Sequence, residues 1–325
     1  MNSLLFQTLS EEELRSVTLH YFGEQPIGWE LLRGGLFNTT YRVDLQGRSL
    51  ILRLGPVHRE VLLPYEQHLM ASEPVIQDLM LRRGIPTSKT VSMDLDRKVL
   101  DRDVAAVEPI PGVSMASLEL DPMHMQDVCR KAGELTAMIH AISAYDLPER
   151  PEHPYGRTSL VLCGKGASSW KEAMLSEMHQ WADCAMAVAL FPQEMILGCI
   201  RCFEALSYVF DEIRESRLVH GDIWYGNLLV DDCGALRAII DNDRSFFGDP
   251  DFDLMLPWMP KEPFMEGYGR TLDMSSGAVL RRKLYRFLLL LEDSYILKME
   301  YRDPEGYLRS KDEVCTCLAE LEEYC

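Results

Sequence analysis

The sequence predicts an α+β protein of two lobes, a small antiparallel-sheet lobe followed by a larger, mainly helical lobe. Three observations predict this class. Short runs of alternating apolar residues, separated by turn glycines, fill the first third of the chain, as in a sheet. Helical periodicity dominates the remainder. Between them a Pro-Ile-Pro-Gly run at 109–112 disfavours regular structure, so we expect lobes at 1–108 and 109–325.

Local signals predict the elements of the sheet lobe in order. Ser10 and Glu13 form a capping-box pattern, so a first helix begins there. After Pro26 the pattern changes to strands, and a helix interrupted near Pro74 divides them. The predicted strands lie at 29–33, 39–45, 49–54, 89–93 and 104–107, and the two helices at 10–23 and 66–83.

The helical lobe shows repeated amphipathic segments with one interruption. A section at 218–248 reads as strand, loop and strand, and therefore carries turns among the helices. The predicted helices lie at 123–143, 170–189, 194–217, 277–300 and 311–324.

Composition limits the classes of function. The chain has 325 residues and a formal net charge of −18, which argues against nucleic-acid binding because that requires a basic surface. An acidic cleft would attract a cationic substrate, and acidic surfaces also serve solubility. The longest apolar runs are too short to span a membrane and no secretory signal is evident, so we expect a cytoplasmic protein.

The nine cysteines are odd in number and lack the spacing of a disulfide framework, so reduced thiols are expected. Two close pairs, Cys199 with Cys202 and Cys315 with Cys317, offer four ligands for zinc. Both pairs fall in predicted helices without the turn glycines of a zinc knuckle. Buried free thiols are therefore the favoured interpretation.

One segment carries most of the functional signal. Residues 218–230 read Leu-Val-His-Gly-Asp-Ile-Trp-Tyr-Gly-Asn-Leu-Leu-Val, and the next strand ends in Ile-Ile-Asp at 239–241. Asp222, Asn227 and Asp241 have the intervals of a phosphoryl-transfer site, where a loop carboxylate accepts the hydroxyl proton and the later amide and carboxylate bind metal. A polar turn without chemistry is the alternative, and the apolar flanks make it the weaker one.

These motifs resemble the aminoglycoside phosphotransferase / choline kinase-like family, relatives of the protein kinases. The match runs from about Gly34 to Leu256 and is strongest in His-Gly-Asp-x4-Asn, Ile-Ile-Asp and the Gly-Asp-Pro-x-x-Asp-Leu run at 248–254. The resemblance implies a protein-kinase-like fold with nucleotide bound between the lobes. Asn242 is a departure, since the family usually has an apolar or aromatic residue there.

The resemblance also implies roles for the motif residues. Asp222 matches the catalytic base, and Asn227 and Asp241 match the Mg²⁺ ligands, which are oxygen donors as this metal prefers. Asp243 is a further acidic residue whose role, metal-binding or supporting, stays open.

Other motif residues are expected to support the loop. Asp249 and Asp253 would fasten it through hydrogen bonds, with a surface turn as the alternative. His220 and His140 are interpreted as structural. Trp224 lies inside the loop and is the best aromatic candidate for the substrate pocket, ahead of Trp170, Trp181 and Trp258.

The sheet lobe supplies the expected nucleotide site. Gly34, Gly35 and Asn38 resemble the family's nucleotide loop, where glycines let backbone amides approach phosphates. A hairpin turn explains this run about as well, but its position between two strands favours the loop. Arg53 occupies the family's basic phosphate-binding position, and its guanidinium can contact phosphates and pair with a carboxylate.

Glu73 is the expected partner of Arg53, with Glu66 and Glu60 as rivals. Pro74 directly after Glu73 is acceptable if the helix begins there. The hinge between the lobes would bind an adenine edge through the main chain of Glu108 and Ile110.

The predicted function is an ATP-dependent O-phosphotransferase with Mg²⁺, with GTP as the alternative donor. An aminoglycoside, amino sugar or other amine-bearing acceptor is favoured, and the stretch 258–268 offers Glu262 and Glu266 for such a cation unless they form a solvated face. Choline, fructosamine or another metabolite is an alternative acceptor.

A second hypothesis is a non-catalytic nucleotide-binding regulatory module. A protein substrate is disfavoured because an activation segment is not recognisable. Either a monomer or a homodimer is expected.

Overall fold

The computed structural model describes residues 3–32, 35–255 and 261–325. The first strands are β1 Gly28–Leu31, β2 Thr39–Leu45, β3 Arg48–Leu54, β4 Thr90–Asp94 and β5 Val104–Val107. They form one antiparallel sheet in the order β1-β2-β3-β5-β4. The sheet therefore ends two residues before the Pro-Ile-Pro-Gly run, and the lobe boundary drawn there stays a prediction.

Helix α1 (Glu11–Phe22) packs on this sheet. Ser10 caps it, and the reciprocal bonds of Ser10 and Glu13 complete the predicted capping box. Its buried residues Leu14 and Val17 join an apolar cluster with the inward side chains of the strands. The first lobe thus has a core of its own.

A 3₁₀ segment (Pro64–Ser72) precedes helix α2 (Glu73–Arg82), so the predicted helix is interrupted at the expected proline. Pro74 stands in the first turn, where its missing N–H removes no helical bond. The apolar side of α2 does not join the core of the sheet lobe. Ile76 and Met80 pack instead in a core cluster of the helical lobe.

The remaining helices are α3 Pro122–His140, α4 Thr158–Leu162, α5 Trp170–Ala187, α6 Gln193–Leu206, α7 Asp251–Leu254, α8 Lys261–Tyr268, α9 Ser276–Met299 and α10 Pro304–Glu322. The helix predicted at 194–217 is too long. Helix α6 ends at Leu206, a 3₁₀ segment (Ser207–Glu212) follows, and residues 217–219 pair as a strand, where tertiary pairing overrides the helical pattern. Helix α10 begins earlier than predicted, with Asp303 as its cap and proline in its first turn.

Short strands among these helices are β6 Val113–Ser114, β7 Gly156–Arg157, β8 Arg217–Val219, β9 Leu228–Val230, β10 Leu236–Ile239 and β11 Phe246–Gly248. They form two antiparallel sheets, β10-β9-β6 and β7-β11-β8. Ile240 joins the two. Its N–H donates to the Asn227 carbonyl at 2.9 Å, and its own carbonyl accepts from His220 Nε2 at 3.1 Å. The β8–β9 loop is therefore held beside the turn that follows β10.

The large aromatic residues of the helical lobe are mostly core. Trp170 and Trp181 are fully buried, and their indole N–H groups donate to Tyr285 Oη and the Leu291 carbonyl, each at 2.7 Å. They do not line a cleft, as expected for core tryptophans. In the part of the chain that the structure describes, no helix combines the length and the apolar character needed to cross a membrane.

All nine cysteines are free thiols. The two close pairs are not gathered around a metal position, since the cluster with metal-binding geometry in the described ranges is built from carboxylates. Cys199, Cys202 and Cys317 are buried as expected, whereas Cys315 is exposed.

Candidate active site

The loop between β8 and β9 is closed by one of its own side chains. Asn227 Nδ2 donates to Oδ2 of Asp222 and to the Asp222 carbonyl, both at 2.9 Å. These two bonds fix the Asp222 carboxylate and leave the Asn227 amide oxygen for another ligand. Burial raises the pKa of Asp222, the positive charge of Arg244 opposes this, and the negative charge of Asp241 adds to it.

Asp253 anchors this loop to the helical lobe. Its two carboxylate oxygens accept from the main-chain N–H groups of His220 and Gly221, both at 2.9 Å. His140 Nε2 donates to the same carboxylate at 3.0 Å, and the Tyr268 hydroxyl bonds the other ring nitrogen at 2.9 Å. Burial alone would raise the pKa of Asp253, but the bonds from His140 and the amide groups hold it below its usual value.

Asp249 does not fasten the catalytic loop, and the prediction that it would is wrong. Its Oδ2 accepts from Arg281 Nε at 3.1 Å and from the Tyr285 hydroxyl at 2.7 Å. Both partners belong to α9. A buried carboxylate bonds whichever donors the fold brings to it, and spacing within the motif could not show that these donors come from a distant helix.

Arg53 lies at the centre of a buried charge cluster between the lobes. Its Nη1 donates to both carboxylate oxygens of Glu73, at 2.7 and 2.5 Å. Its Nη2 donates to Asp241 at 2.5 Å and to Asp243 at 3.3 Å. The structure thus brings together Arg53, Glu73 and Asp241, and it selects Glu73 over its rivals. Glu66 is bonded elsewhere, and Glu60 is exposed beside His58.

This cluster is short of positive charge. One guanidinium faces three carboxylates, and Glu73, Asp241 and Asp243 each offer an oxygen within 4.8 Å of the others. Burial raises the pKa of Asp243 well above its usual value, as does the neighbouring Asp241 charge, and burial also raises that of Glu73. Burial would lower the pKa of Arg53, but the three carboxylates raise it. Hard oxygen donors with excess negative charge fit a divalent cation.

Asp241 occupies an unusual backbone conformation. Its φ is 67°, in the left-handed region that residues with a Cβ rarely adopt. Asp tolerates this region better than most residues, and such strain is often found at functional positions. The conformation ends β10 and directs the chain into the turn that holds Asp243.

The predicted nucleotide loop around Gly35 and Asn38, called the glycine loop below, lies over this cluster. A Cβ on Gly35 would lie 2.8 Å from the Asn38 carbonyl, so the tight turn requires glycine there. Asn38 is buried, and its Nδ2 is 3.4 Å from Asp243 Oδ2. The structure therefore joins Asn38 to the carboxylate cluster. Gly34, the other predicted glycine, lies outside the described residues.

The hinge retains part of its predicted capacity to bind a base. The Glu108 N–H donates to the Lys89 carbonyl at 2.9 Å, so this N–H is occupied. The Glu108 side chain forms an exposed ion pair with Lys89. The Glu108 carbonyl and the main chain of Ile110 are the groups left for an adenine edge.

Two residues at the cleft were not predicted from the sequence. Arg244 follows the carboxylate turn and donates to the Tyr65 hydroxyl at 2.9 Å and to Glu66 Oε1 at 2.8 Å. Asp293 on α9 is exposed to solvent, and its charge lies within electrostatic reach of Arg244 and Asp222. No signal in the sequence beyond its charge marks either residue, since neither belongs to a motif.

The stretch 258–268 does not supply the cleft with carboxylates. Glu262 and Glu266 are exposed, and Glu266 pairs with Arg130 of α3 at 3.1 Å. Glu262 and Glu266 therefore belong to a solvated face, which was the alternative interpretation. Trp258 lies outside the described residues. Trp224, in contrast, is 38% exposed within the catalytic loop and is available to a ligand.

The two lobes, the antiparallel sheet and the charged groups between them define a class, the phosphotransferases with a protein-kinase-like fold. Solved structures of this class superimpose on the chain. The aminoglycoside phosphotransferase APH(4)-Ia, as a thermostable mutant in ternary complex with AMP-PNP and hygromycin B, has a TM-score of 0.67 at 14% identity, covering 94% of this chain and 98% of that one.

Two other structures give the same result. A putative fructosamine-3-kinase from Haemophilus somnus 129PT has a TM-score of 0.63 at 13% identity, covering 95% of this chain and 97% of its own. The GDP complex of a mutant aminoglycoside 2′-phosphotransferase-IIIa has a TM-score of 0.62 at 14% identity, covering 96% and 98%. At these identities the similarity establishes the fold.

The family follows from the sequence match. The model of the phosphotransferase enzyme family (APH) matches residues 28–282, most of the chain. The chain belongs to this family and is a small-molecule kinase, as the resemblance of its motifs implied.

Proposed function

We propose that the protein transfers the γ-phosphoryl group of ATP to a hydroxyl of an amine-bearing small molecule, such as an aminoglycoside or another amino sugar. The observation that carries this proposal is the arrangement of Asp222 and Asn227 beside the Arg53 cluster. A carboxylate able to accept a proton thus lies next to oxygen donors able to hold a metal and a guanidinium able to hold phosphate.

The nucleotide would bind between the lobes. Gly35 and Asn38 would lie over its phosphates, with Gly34 as the further glycine that the sequence predicts there. Arg53, held by Glu73, would contact the phosphates as a planar fork. The main chain of Glu108 and Ile110 would bind the adenine edge, with the Glu108 carbonyl as one of the contacting groups. AMP-PNP in one structural neighbour supports ATP, and GDP in another keeps GTP as the alternative donor.

Asp241 and Asn227 are the proposed Mg²⁺ ligands, and Asp243 is a further donor from the same turn. The charge shortage of the cluster around Arg53 supports this, because three carboxylates face one guanidinium. When bound, the metal neutralises charge on the phosphate oxygens.

In the reaction, the acceptor oxygen attacks the γ-phosphorus while the bond to the bridging oxygen of the leaving diphosphate breaks. The hydroxyl proton passes to the Asp222 carboxylate, and ADP leaves with the electron pair of the broken bond. Asn227 keeps the carboxylate oriented through its bond at 2.9 Å. Because the phosphoryl transition state is loose, orientation of the hydroxyl matters more than early proton removal.

Charges on the acceptor side favour an amine. Burial raises the pKa of Glu300 to about 10, so this carboxyl is neutral near pH 7. Desolvation by the surrounding protein raises the pKa of Asp293 to about 6, so Asp293 stays ionised above that pH. Asp293 is therefore the proposed partner of an acceptor ammonium group, and Trp224 offers an apolar surface beside it.

Two other functions are kept as alternatives. Choline, fructosamine or another metabolite would also present an amine and a hydroxyl, and one structural neighbour is a putative fructosamine-3-kinase. A regulatory module that binds nucleotide without turnover is the other alternative. We also expect a cytoplasmic monomer or homodimer that binds neither nucleic acid nor membrane.

The test is acceptor-dependent ADP release with Mg-ATP across aminoglycosides, amino sugars, choline and ketosamine-type amines, with mass spectrometry of the product. An active acceptor should gain one phosphoryl group. In Asp222→Asn, we expect kcat to fall on the order of 10²–10⁴-fold while nucleotide affinity changes by less than about twofold.

Asp232→Asn is the matched control, because Asp232 is an exposed carboxylate in the turn after β9. It should retain the activity of the unmodified protein. Saturable Mg-ATP binding without turnover of any acceptor would favour the regulatory module. Turnover that survives in Asp222→Asn would remove Asp222 from the mechanism.

A further inference from the structure

Arg244 connects the catalytic centre to the segment that precedes α2. Its two terminal nitrogens donate separately, Nη1 to the Tyr65 hydroxyl at 2.9 Å and Nη2 to Glu66 Oε1 at 2.8 Å. The Glu66 side chain is fully buried, and its other oxygen accepts from the Leu63 N–H at 3.1 Å. A buried ion pair of this kind is fixed in position, because removing either partner leaves an uncompensated charge.

The main chain of Arg244 rests directly on the catalytic loop. A Cβ on Gly221 would lie 2.6 Å from the Arg244 carbonyl, and Gly221 itself has a φ of 79°. The same carbonyl accepts from Arg157 Nη1 at 3.2 Å. Gly221 directly precedes Asp222, so the Arg244 backbone is packed against the residue beside the proposed base.

The guanidinium of Arg244 also reaches the glycine loop. It lies 5.6 Å from the ring centre of Phe37, within the range of a cation–π contact. One side chain thus contacts the glycine loop and the segment before α2, while its backbone contacts the catalytic loop.

Glu66 and Glu73 belong to one continuous stretch, the 3₁₀ segment and the start of α2. Glu73 holds Arg53, which reaches Asp241, and Glu66 holds Arg244, which lies against Gly221. The stretch therefore has two attachments to the catalytic centre, one through the carboxylate cluster and one through Arg244.

We propose that Arg244, paired with Glu66, is a positioning residue that holds the Asp222 loop in register with the nucleotide side of the cleft. This inference rests on the proposed phosphotransferase function. Arg244 acts on the loop through its contact with Gly221, and its positive charge has a separate electrostatic effect on Asp222 that Arg244→Lys and Glu66→Gln both retain. A planar guanidinium is required, because an ammonium group cannot bond Tyr65 and Glu66 in the same fork while lying over Phe37.

A double-mutant cycle with Arg244→Met, Glu66→Gln and the double variant tests the pair. We expect each single variant to lower kcat on the order of 10- to 100-fold, because small misplacements cost this much in rate. The nucleotide dissociation constant should change by less than about twofold, and the double variant should be no slower than Arg244→Met alone. Arg244→Lys should recover less than half of the kcat that Arg244→Met loses.

The ion pair between Lys283 and Glu320, at 2.8 Å on α9 and α10, provides the control cycle. Lys283→Met and Glu320→Gln should leave kcat unchanged. A purely structural role for Arg244 would lower the melting temperature while kcat per folded molecule, measured well below that temperature, stays the same. That result, or single effects on kcat that multiply in the double variant, would overturn the proposal.

Hydrogen exchange separates this proposal from the function on which it rests. In Glu66→Gln, a variant of the same size in case Arg244→Met does not fold, amide exchange at 218–222 should become faster than in Glu320→Gln. If the unmodified protein phosphorylates no acceptor but this exchange increases, the proposed function fails and the coupling stands. If activity is present and exchange at 218–222 does not change in Glu66→Gln, the coupling is wrong.

Discussion

Single side chains set the charge on each side of the cleft. On the nucleotide side, Arg53 is shared by three carboxylates, which leaves excess negative charge for a cation. On the acceptor side, the guanidinium of Arg244 is already matched by Glu66. Asp293 is an exposed charge within electrostatic reach of Asp222, and we propose that it favours a positive group on the acceptor.

The pH dependence of acceptor binding follows from Asp293. Desolvation raises its pKa to about 6, while the charge of Arg244 opposes the shift and the charges of Glu313 and Asp222 add to it. The carboxylate is ionised above that pH and protonated below it, so the KM of an amine-bearing acceptor should rise as pH falls through about 6. Steady-state kinetics measure this effect. They should cover roughly pH 5 to pH 8, the range around the pKa of this group.

Asp293→Asn is the control for this prediction. Asp293→Asn should raise the KM of the amine-bearing acceptor at neutral pH and remove the rise in KM near pH 6. A neutral acceptor analogue should show no rise in KM near pH 6 in either protein. An unchanged profile in Asp293→Asn would exclude Asp293 as the ammonium partner.

At the scale of elements, close helix packing supports the anchor of the catalytic loop. Helices α3 and α8 cross at two glycines: a Cβ on Gly133 would lie 2.0 Å from the Phe264 carbonyl, and one on Gly267 would lie 1.8 Å from the Arg130 carbonyl. The contact brings the Tyr268 hydroxyl of α8 to His140 of α3, which in turn bonds Asp253. A larger residue at either crossing point would separate the helices.

Gly133→Ala should therefore destabilise the protein, although alanine favours helices. The clash is with backbone, which cannot rotate away, so we expect a loss of about 1–3 kcal/mol in the free energy of unfolding. Denaturant unfolding of the purified variant measures it. We also expect reduced kcat, because Tyr268 and His140 support the Asp253 anchor.

Gly198→Ala in α6 is the matched control. Its added Cβ would have only Arg201 Nη2 nearby, at 3.9 Å, and Gly198 has no positive φ. This variant should be more stable by about 0.5–1 kcal/mol, the ordinary gain from alanine in a helix. Equal stability changes in the two variants would show that the crossing at Gly133 tolerates a side chain.

At the scale of the whole molecule, charged side chains join the two lobes at the carboxylate cluster. Arg53 belongs to β3 of the sheet lobe, while Asp241 and Asp243 follow β10 in the helical lobe. The α2 segment packs against the helical core and pairs with Arg53, so it joins both lobes. A ligand bound at this junction stabilises both lobes together.

Mg-ATP should therefore raise the apparent melting temperature of the whole chain in one transition. At a ligand concentration about 100 times the dissociation constant, the stabilisation should be about 2.7 kcal/mol. Scanning fluorimetry and denaturant titration measure it. In Asp241→Asn the shift should be largely lost with Mg-ATP, and addition of EDTA should reduce the shift of the unmodified protein to the same level. An equal shift in both proteins would show that Asp241 does not hold the metal.

The sequence by itself determined the elements with strong local signals. The capping box at Ser10 set the start of α1, strands β2 and β5 have their predicted bounds, and the proline-divided helix is divided as expected. These features depend on neighbours a few residues away, which a local pattern contains. The kinase-like fold and the family followed from the resemblance of the loop motifs to those of a known family, because the residues of phosphoryl transfer lie in short segments.

Only the tertiary structure decided which charges meet. It assigned Glu73 to Arg53, and it gave Glu66 to Arg244, 178 positions away. In the folded chain, Asp249 bonds Tyr285 of α9 instead of the catalytic loop, and Asp293 lies within electrostatic reach of Asp222. The reason is physical: a buried charge is satisfied by whatever group the packed elements place within hydrogen-bonding distance, and that distance depends on the whole arrangement of helices and strands.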